Sequence, residues 1–447
     1  MIKFPSPAVS IVGRHNSGKT TLIEKLIAEL VGRGLDVGSV KHHSHVGFDI
    51  DIPGKDSWRH RHAGASETVI AAPGQMARIQ TTDGEAECAN IVASMPGHDV
   101  VIVEGYRKSG LPTIEIMRAG NKADARTAEV FAEGARKGWA LGTDFTQFGR
   151  GSMPYAAEVH PDDRPVAQHL GQTEEDRLAR SNPDHADISN KMPTAATVAV
   201  VTDIPLAAEA ADMYGIPAFD IDDVAGLADF LQASFARPRV SMVIQAGGES
   251  RRMGRSKATV PFCGRPLICR LIERLSPVAD ELIITTNEPK ELAFLQEQYP
   301  ELGIRFESDV INERGALPGL YTALRCARNP YVAVVACDMV LASPSLVVAE
   351  ALEMTRTGAD VVVPVNKHGF EPFHAIYRRS GCLRAVREAL NEGEKRAQVF
   401  FNQVNVCEFP QKKVLEAEPM GGCFMNANTP DELAALERIV QERIECE

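Results

Sequence analysis

No stretch of this chain approaches the roughly 18 uninterrupted apolar residues that a membrane helix needs, and the opening MIKFPSPAVSIVG has neither the basic start nor the long apolar core of a secretory leader. A cytosolic location is the expectation. The nine cysteines are scattered, odd in number and form no C-x-x-C pair, which argues against a disulfide framework or a zinc knuckle. Reduced thiols are the simpler reading. Long Lys/Arg runs are also missing, and 48 basic against 60 acidic residues leave a formal net charge of −12. The footprint of a general nucleic-acid binder is therefore absent, and any phosphate must be held locally. No repeat of fixed period exists, so solenoid and propeller architectures drop out.

What remains has the composition of ordinary soluble globular proteins, 44% hydrophobic and 24% charged. At 447 residues the chain calls for two or three domains of roughly 100–200 residues each. Val9–Val12 is a short apolar run before a Gly-rich turn, and Thr20–Val31 then places Leu22, Ile23, Leu26, Ile27 and Leu30 at helical spacing. Val37–Lys41 and Val100–Glu104 are further β-branched runs ending in polar residues, as buried parallel strands do. From Asn121 to about Pro193 the pattern degrades, and only Arg126–Lys137 within it looks helical. Order returns with the strand Thr197–Thr202, IPAFDI and the helix-like Val224–Ser234. A second series then opens at Ser241–Gln245, with strand candidates ELIITT, VAVVACD and DVVVPV separated by helix-length segments such as Pro266–Leu275 and Gly319–Ala327. The expected organisation is a first α/β domain over 1–235 with an irregular insertion at about 120–194, a linker at 236–240, and a second α/β domain over 241–447.

Gly13-Arg14-His15-Asn16-Ser17-Gly18-Lys19-Thr20 fits G-x-x-x-x-G-K-[ST] between a strand and a helix, the context in which the pattern means a phosphate loop. Gly13 and Gly18 let backbone N–H groups of Asn16, Ser17 and their neighbours converge on phosphate, Lys19 reaches the β- and γ-phosphates, and the Thr20 hydroxyl can hold Mg²⁺, with Thr21 beginning the helix. Glu104 closes an apolar strand with a carboxylate suited to a magnesium-bound water. The tract Lys41-His42-His43-Ser44-His45, with Asp49 and Asp51, reads as a solvated polar loop, because no fixed helical spacing supports a metal shell. Asn121-Lys122-Ala123-Asp124 has the N-K-x-D form of a guanine-reading loop, but four residues carry little information and the motif opens the irregular segment, so chance is the favoured explanation.

Beyond the phosphate loop, KHHSH with DIDIPGKDSWRHRHAGA, VEGY, VTDIPL and DIDDVAGLADF together resemble the MobB family, the molybdopterin-guanine dinucleotide biosynthesis adaptors, over residues 8–116 and 195–232. The segment 120–194 departs from that compact pattern. The resemblance implies a three-layer P-loop NTPase-like domain that binds GTP, and leaves open a weak GTPase activity.

Residues 243–257, VIQAGGESRRMGRSK, run from a strand into glycines and then a basic loop. The glycines admit close approach of base and phosphate, while Arg251, Arg252 and Lys257 offset charge on departing pyrophosphate. Val334–Asp338 ends a second apolar strand with an acidic residue, a fitting magnesium ligand. With the G-x-P-L of Gly264–Leu267 and Phe424-Met425-Asn426-Ala427-Asn428-Thr429-Pro430, these motifs resemble the MobA-type nucleotidyltransferases over about 240–440. That resemblance implies a Rossmann-like nucleotidyltransferase fold of the nucleotide-diphospho-sugar transferase kind. It also implies Gln245, Ala246, Gly247, Gly248, Asn287 and Asp309 around the nucleotide, Lys257 and Arg252 as catalytic cations, Asp338 holding Mg²⁺, and Asn426 and Asn428 at the acceptor. Ser256 stands where the family has Asp, Val340 where it has Pro, and Gly315–Gly319 permutes its G-P-L-A-G.

The implied reaction is transfer of GMP from GTP to molybdopterin, with other molybdenum cofactor biosynthesis proteins and recipient molybdoenzymes as partners and a homo-oligomer left open. Two alternatives stand beside it. One keeps the fold and changes the base, as in a CTP-dependent cytidylyltransferase or another nucleotidyltransferase; the other makes the chain a non-catalytic GTP-binding delivery module.

Overall fold

The structure, a computed structural model, describes residues 2–43, 50–141, 191–247, 257–311, 313 and 315–445. It divides into two compact units, one of residues 5–237 and one of residues 238–447 together with 1–4. The first four residues thus depart from the block expected at 1–235, because the apolar Phe4 is buried in the core of the second unit.

The first unit is built on six parallel strands: β1 (Ala8–Gly13), β2 (Val37–Lys41), β5 (Val100–Glu104), β6 (Thr113–Met117), β7 (Thr197–Thr202) and β8 (Ala218–Phe219), in the order β2-β5-β1-β6-β7-β8. Alternate side chains explain the near-continuous apolar sequence of the central strands. Val100 and Ile102 face one helix layer with Val9 and Ile11, whereas Val101 and Val103 face the other. The first layer holds α1 (Lys19–Gly32), whose Leu22, Leu26 and Leu30 meet Leu227 and Leu231 of a helix spanning Val224–Ser234. The opposite layer includes α4 (Lys122–Lys137), with Phe131 buried among alanines of α5 (Pro205–Met213). Two shorter helices, α2 (Asp56–His62) and α3 (Cys88–Ala93), and a separate antiparallel hairpin of β3 (Glu67–Ala72) and β4 (Gln75–Gln80) complete the described part. The helix expected at 126–137 begins earlier, at Lys122, because the Asn121 side chain accepts the N–H groups of Ala123 and Asp124 and caps its start. The Val224–Ser234 helix is α6.

The second unit carries an eight-stranded mixed sheet. Its parallel half comprises β9 (Val240–Gln245), β12 (Glu281–Thr285), β13 (Arg305–Glu307) and β14 (Tyr331–Ala336), in the order β13-β12-β9-β14. A small hairpin, β10 (Pro261–Phe262) with β11 (Arg265–Pro266), lies outside it. Beyond β14 the direction changes: β17 (His374–Arg378) runs antiparallel to β14 and to β15 (Val361–Asn366), which also pairs with β16 (Gly369–Phe370) and β18 (Val406–Pro410). One face is covered by α7 (Leu267–Leu275), α8 (Phe294–Gln298), α10 (Pro344–Thr357) and the last helix. The other face is covered by α9 (Ala316–Cys326) and α11 (Arg379–Asn391). The short α12 (Gln411–Ala417) precedes the last helix, α13 (Pro430–Glu445). Among the described residues no helix is long and apolar enough to cross a membrane.

Candidate functional site

Both units gather their polar groups at the carboxyl ends of central parallel strands, where the backbone leaves the sheet and side chains are freed from core packing. In the first unit β1 runs into Gly13, where a Cβ would stand 2.8 Å from Ser17 Oγ and 3.0 Å from the Ile116 carbonyl oxygen, so only glycine fits. Asn16 (φ 59°) and Gly18 (φ 79°) take left-handed backbone, which curls the loop and starts α1. Lys19 folds back: its Nζ donates to the carbonyl oxygens of Gly13 at 3.1 Å and Arg14 at 2.5 Å. Desolvation by burial lowers its pKa, opposed by the nearby Glu104 carboxylate. Thr20 Oγ1 donates to Glu104 Oε1 at 3.0 Å, and Lys41 Nζ lies 3.2 Å from Glu104 Oε2. The structure therefore brings Gly13, Asn16, Ser17, Gly18, Lys19, Thr20 and Thr21 into one loop and first helical turn, with Glu104 beside the hydroxyl. Ser17 Oγ is buried without a hydrogen-bond partner among the described residues, as suits an anion site that a phosphate completes.

The N-K-x-D tetrapeptide has a different task. Asn121 is spent on capping α4, and the buried Asp124 carboxylate lies 2.8 Å from Arg14 Nε and accepts the Arg118 N–H at 3.0 Å. Arg14 also donates through Nη2 to Thr127 Oγ1 at 2.6 Å. Asp124 thus clamps the phosphate loop from behind and has no free edge for a base. Asn at a helix start with Asp three residues on is a capping signal, and that signal identifies the tetrapeptide better than the guanine pattern does. Of the histidine tract, His42 stacks on Tyr106 with centroids 4.2 Å apart and meets Glu85 at 2.5 Å. Asp51 accepts from Ser57 Oγ at 2.7 Å, while Ser44, His45 and Asp49 lie outside the described residues.

In the second unit Gln245 ends β9 between Thr285 of β12 and Ala336 of β14. Its Nε2 is buried without a hydrogen-bond partner among the described residues and stands 3.3 Å from where a Gly319 Cβ would sit. An orphaned amide at a strand end is what a base or phosphate oxygen would satisfy. Ala246 follows, its N–H bound to the Thr285 carbonyl at 2.9 Å, and then the exposed Gly247. Asn287 Nδ2 donates to Asp309 Oδ2 at 2.9 Å, and the Asp309 N–H returns to Asn287 Oδ1 at 3.1 Å. Gly248 and Arg252 lie outside the described residues, as do Arg251 and Ser256.

The densest cluster forms one strand over. Lys257 Nζ donates to Asp338 Oδ2 at 2.8 Å and to Asn428 Oδ1 at 2.7 Å, all three side chains largely buried or half-buried. Asp338 follows β14, and its carbonyl accepts the Ala427 N–H at 3.0 Å, which fixes the loop bearing Asn428. That loop is fixed again by Glu432, whose Oε2 accepts the N–H groups of Asn428 at 2.8 Å and Thr429 at 3.1 Å, while Thr429 Oγ1 accepts the Glu432 N–H at 3.2 Å. This is a reciprocal capping box at the start of α13. The sequence reading passed over Glu432, although Thr429-Pro430-Asp431-Glu432 carries its T-x-x-E signature. Asn426 is exposed, and only Asn428 of the two expected acceptor residues reaches the cluster. The neighbouring Cys337 is pushed up to about 12 by burial and by Asp338, which leaves it a thiol rather than a nucleophile.

A phosphate loop on one α/β unit and a Lys–Asp–Asn cluster at the strand ends of a second define a two-unit phosphate-handling protein. The family described as "Molybdopterin guanine dinucleotide synthesis protein B" matches residues 8–132, and "MobA-like NTP transferase domain" matches residues 242–406. A molybdenum cofactor guanylyltransferase from Desulfosudis oleivorans is 30% identical over 203 residues, which are 45% of this chain and 96% of that protein. A crystal structure of molybdopterin-guanine dinucleotide biosynthesis protein A from Archaeoglobus fulgidus is 27% identical, covering 45% of this chain and 99% of that one, with a TM-score of 0.40. The MobB structure from Bacillus subtilis is 20% identical, covering 51% of this chain and 96% of that one, with a TM-score of 0.29. The chain belongs to the molybdenum cofactor guanylyltransferase family, with a MobB-like unit preceding the transferase unit.

Proposed function

We propose that the second unit transfers GMP from GTP to molybdopterin, giving molybdopterin guanine dinucleotide and pyrophosphate, and that the first unit binds GTP as an adaptor. The observation that carries the transfer is the cluster of Lys257, Asp338 and Asn428. In the reaction a terminal phosphate oxygen of molybdopterin attacks the α-phosphorus of GTP in line; the bond from that phosphorus to the β-bridging oxygen breaks, and pyrophosphate leaves with the electron pair. An ammonium has three donors. Two are placed on Asp338 and Asn428, which orients the third for a phosphate oxygen and puts a fixed positive charge where negative charge accumulates. The acceptor phosphate is already anionic, so positioning and electrostatics supply the catalysis and no strong general base is needed.

Asp338 and the carbonyl oxygen of Asn428 are hard oxygen donors of the kind Mg²⁺ takes, as are Thr20 and Glu104 in the first unit. Held by those groups, Mg²⁺ would neutralise charge on the phosphates. Gln245 and the Asn287–Asp309 pair flank the place for the nucleotide, with Gln245 offering its unspent amide and Asp309 a carboxylate acceptor for guanine N–H groups. Cytoplasmic residence and exchange with other molybdenum cofactor proteins and recipient molybdoenzymes belong to the same reading.

The test is pyrophosphate release in the presence of molybdopterin from GTP, CTP, ATP and UTP, run on the wild-type chain and on Asp338→Ala. GTP is the expected substrate, and the variant should lose at least 100-fold in turnover, since removing one preorganised group costs about 2.7–4 kcal/mol at the transition state. Near-wild-type turnover in Asp338→Ala overturns the assignment, and a wild-type preference for CTP reassigns the base.

A further inference from the structure

Sequence reading passed over Arg118, the first residue after β6. Because β6 pairs with β1 in a register that sets Ile116 opposite Gly13, Arg118 emerges just beyond the carboxyl edge of the sheet, beside the phosphate loop. Its guanidinium extends over that loop: Nη1 lies 3.1 Å from where a Cβ on Gly18 would stand. The side chain is held in this direction from its inner end. Nε donates to Asp203 Oδ2 at 3.0 Å, and the other oxygen, Asp203 Oδ1, accepts the Ala119 N–H at 2.6 Å. Asp203 follows β7, the next strand of the sheet. The Arg118 backbone is fixed as well, its N–H bound to Asp124, the residue that clamps Arg14 of the loop.

A guanidinium that serves to tie two strands together often meets a carboxylate with both arms of its fork. Arg118 uses a single inner N–H for Asp203, and its two terminal nitrogens have no hydrogen-bond partner among the described residues. The pair is about one-third exposed on both sides, a setting in which an ion pair adds little to stability. Four N–H donors on a permanently charged group are thereby left standing over the glycine that starts α1, where backbone N–H groups and the helix dipole already favour an anion. Gly18 is required for its left-handed backbone, and a Cβ there would also crowd this guanidinium, at 3.1 Å from Nη1.

We propose that Arg118 is a phosphate ligand of the first unit, a second cation beside Lys19, aimed at the loop by Asp203. The inference rests on reading residues 13–20 as a nucleotide loop. Its ligand class is the polyphosphate of a nucleoside di- or triphosphate, bound through terminal guanidinium N–H groups while Lys19 leaves its resting carbonyl partners for the same phosphates. Asp203 acts as a positioning residue and touches no ligand.

Equilibrium binding of a fluorescent GTP analogue to the full-length chain tests this, with Lys19→Ala defining the share due to the first unit. Arg118→Ala should weaken that share roughly 10- to 150-fold, the range for hydrogen bonds to charged groups, with an unchanged melting temperature. Arg118→Lys should recover part of it as a point charge, and Asp203→Asn should lose less than Arg118→Ala. Inorganic tripolyphosphate should compete with the analogue in the wild type and much less in Arg118→Ala, whereas guanosine should compete equally in both. Unchanged binding in Arg118→Ala beside a loss in Lys19→Ala overturns the inference and leaves the loop reading standing. Unchanged binding in both overturns the two together, and a selective loss of guanosine competition would make Arg118 a base contact instead. If Arg118→Ala does not fold, Arg118→Gln carries the same comparison.

Discussion

The two phosphate sites rest their lysines differently. Lys19 lies on backbone carbonyls of its own loop, and the loop is braced from behind by Arg14, Asp124 and the cap on Asn121, none of which faces the ligand. Lys257 instead lies on Asp338 and Asn428, groups that take part in the proposed transfer themselves. The first site separates scaffold from ligand contacts, whereas the second merges them. Substitution should therefore damage folding in one place and turnover in the other, although both sites would be called phosphate-binding.

The largest expected effect follows from the brace. Asp124→Ala leaves Arg14 charged, buried and without its carboxylate, and breaking one side of a buried pair typically costs about 3–5 kcal/mol. Denaturant unfolding should show a loss of that size in the first unit, while Asp338→Ala, where Lys257 keeps Asn428 as a partner, should cost less. If Asp124→Ala keeps its stability and loses only guanine selectivity, Asp124 is a base reader and the contrast between the sites collapses.

That Asp124 is structural was partly legible beforehand. Asn at a helix start is as good a cap signal as N-K-x-D is a guanine signal, and the cap needs only neighbours in sequence, while the partnership with Arg14 joins residues 110 positions apart that no local pattern connects. Whereas the contact of Lys257 with Asp338 joins residues far apart in sequence, the parallel strands, the strand-loop-helix at 13–20 and the strand-end place of Asp338 were readable because each rests on a local run or motif. The reversal at β17 was not: HAIYR is a short apolar run, and periodicity carries no information about strand direction. Arg118 was missed for a related reason, since a lone arginine after a strand gains meaning only from the glycine on the neighbouring strand's loop.

A second contrast concerns charge under each site. Arg14 and Asp124 meet as a guanidinium and a carboxylate, whereas the pair beneath the 424–428 loop joins an imidazole to a carboxyl. There His374 packs edge-on against Phe424, accepts the Ser343 N–H at Nε2, and places Nδ1 3.5 Å from Glu350, both side chains fully buried. Burial pushes the Glu350 carboxyl up to about 7 from 4.5, with His374 opposing. Because the folded-state value is raised, the unfolded chain loses its proton first as pH rises. The stabilisation is present below about pH 4.5 and lost progressively up to about 7, at a slope approaching 1.4 kcal/mol per pH unit. Glu350→Gln should flatten that part of the profile in the second unit; an unchanged slope would remove Glu350 as its source.

The smallest effect is expected at Gly247, and it sharpens the comparison because it should leave the protein itself untouched. A Cβ there would stand 3.8 Å from Asp309 Oδ2 and 3.9 Å from the Thr285 carbonyl oxygen, ordinary contact distances, and Gly247 is not among the positive-φ glycines. Among the described residues neither clash nor backbone strain therefore opposes Gly247→Ala, in contrast to Gly13, where the same methyl would meet Ser17 at 2.8 Å. Whatever the variant loses must come from the nucleotide. Guanine is bicyclic and covers more of the strand-end floor than cytosine, so an added methyl beside Gln245 and Asp309 should crowd GTP more than CTP. One methyl in a pocket is worth on the order of 1 kcal/mol, which predicts a several-fold narrowing of the GTP/CTP ratio in kcat/KM with unchanged thermal stability. Equal losses for both nucleotides would place the methyl against the phosphates or ribose rather than the base, and the discrimination would then have to come from Asp309 accepting guanine N–H groups, which Asp309→Asn would expose by the same ratio.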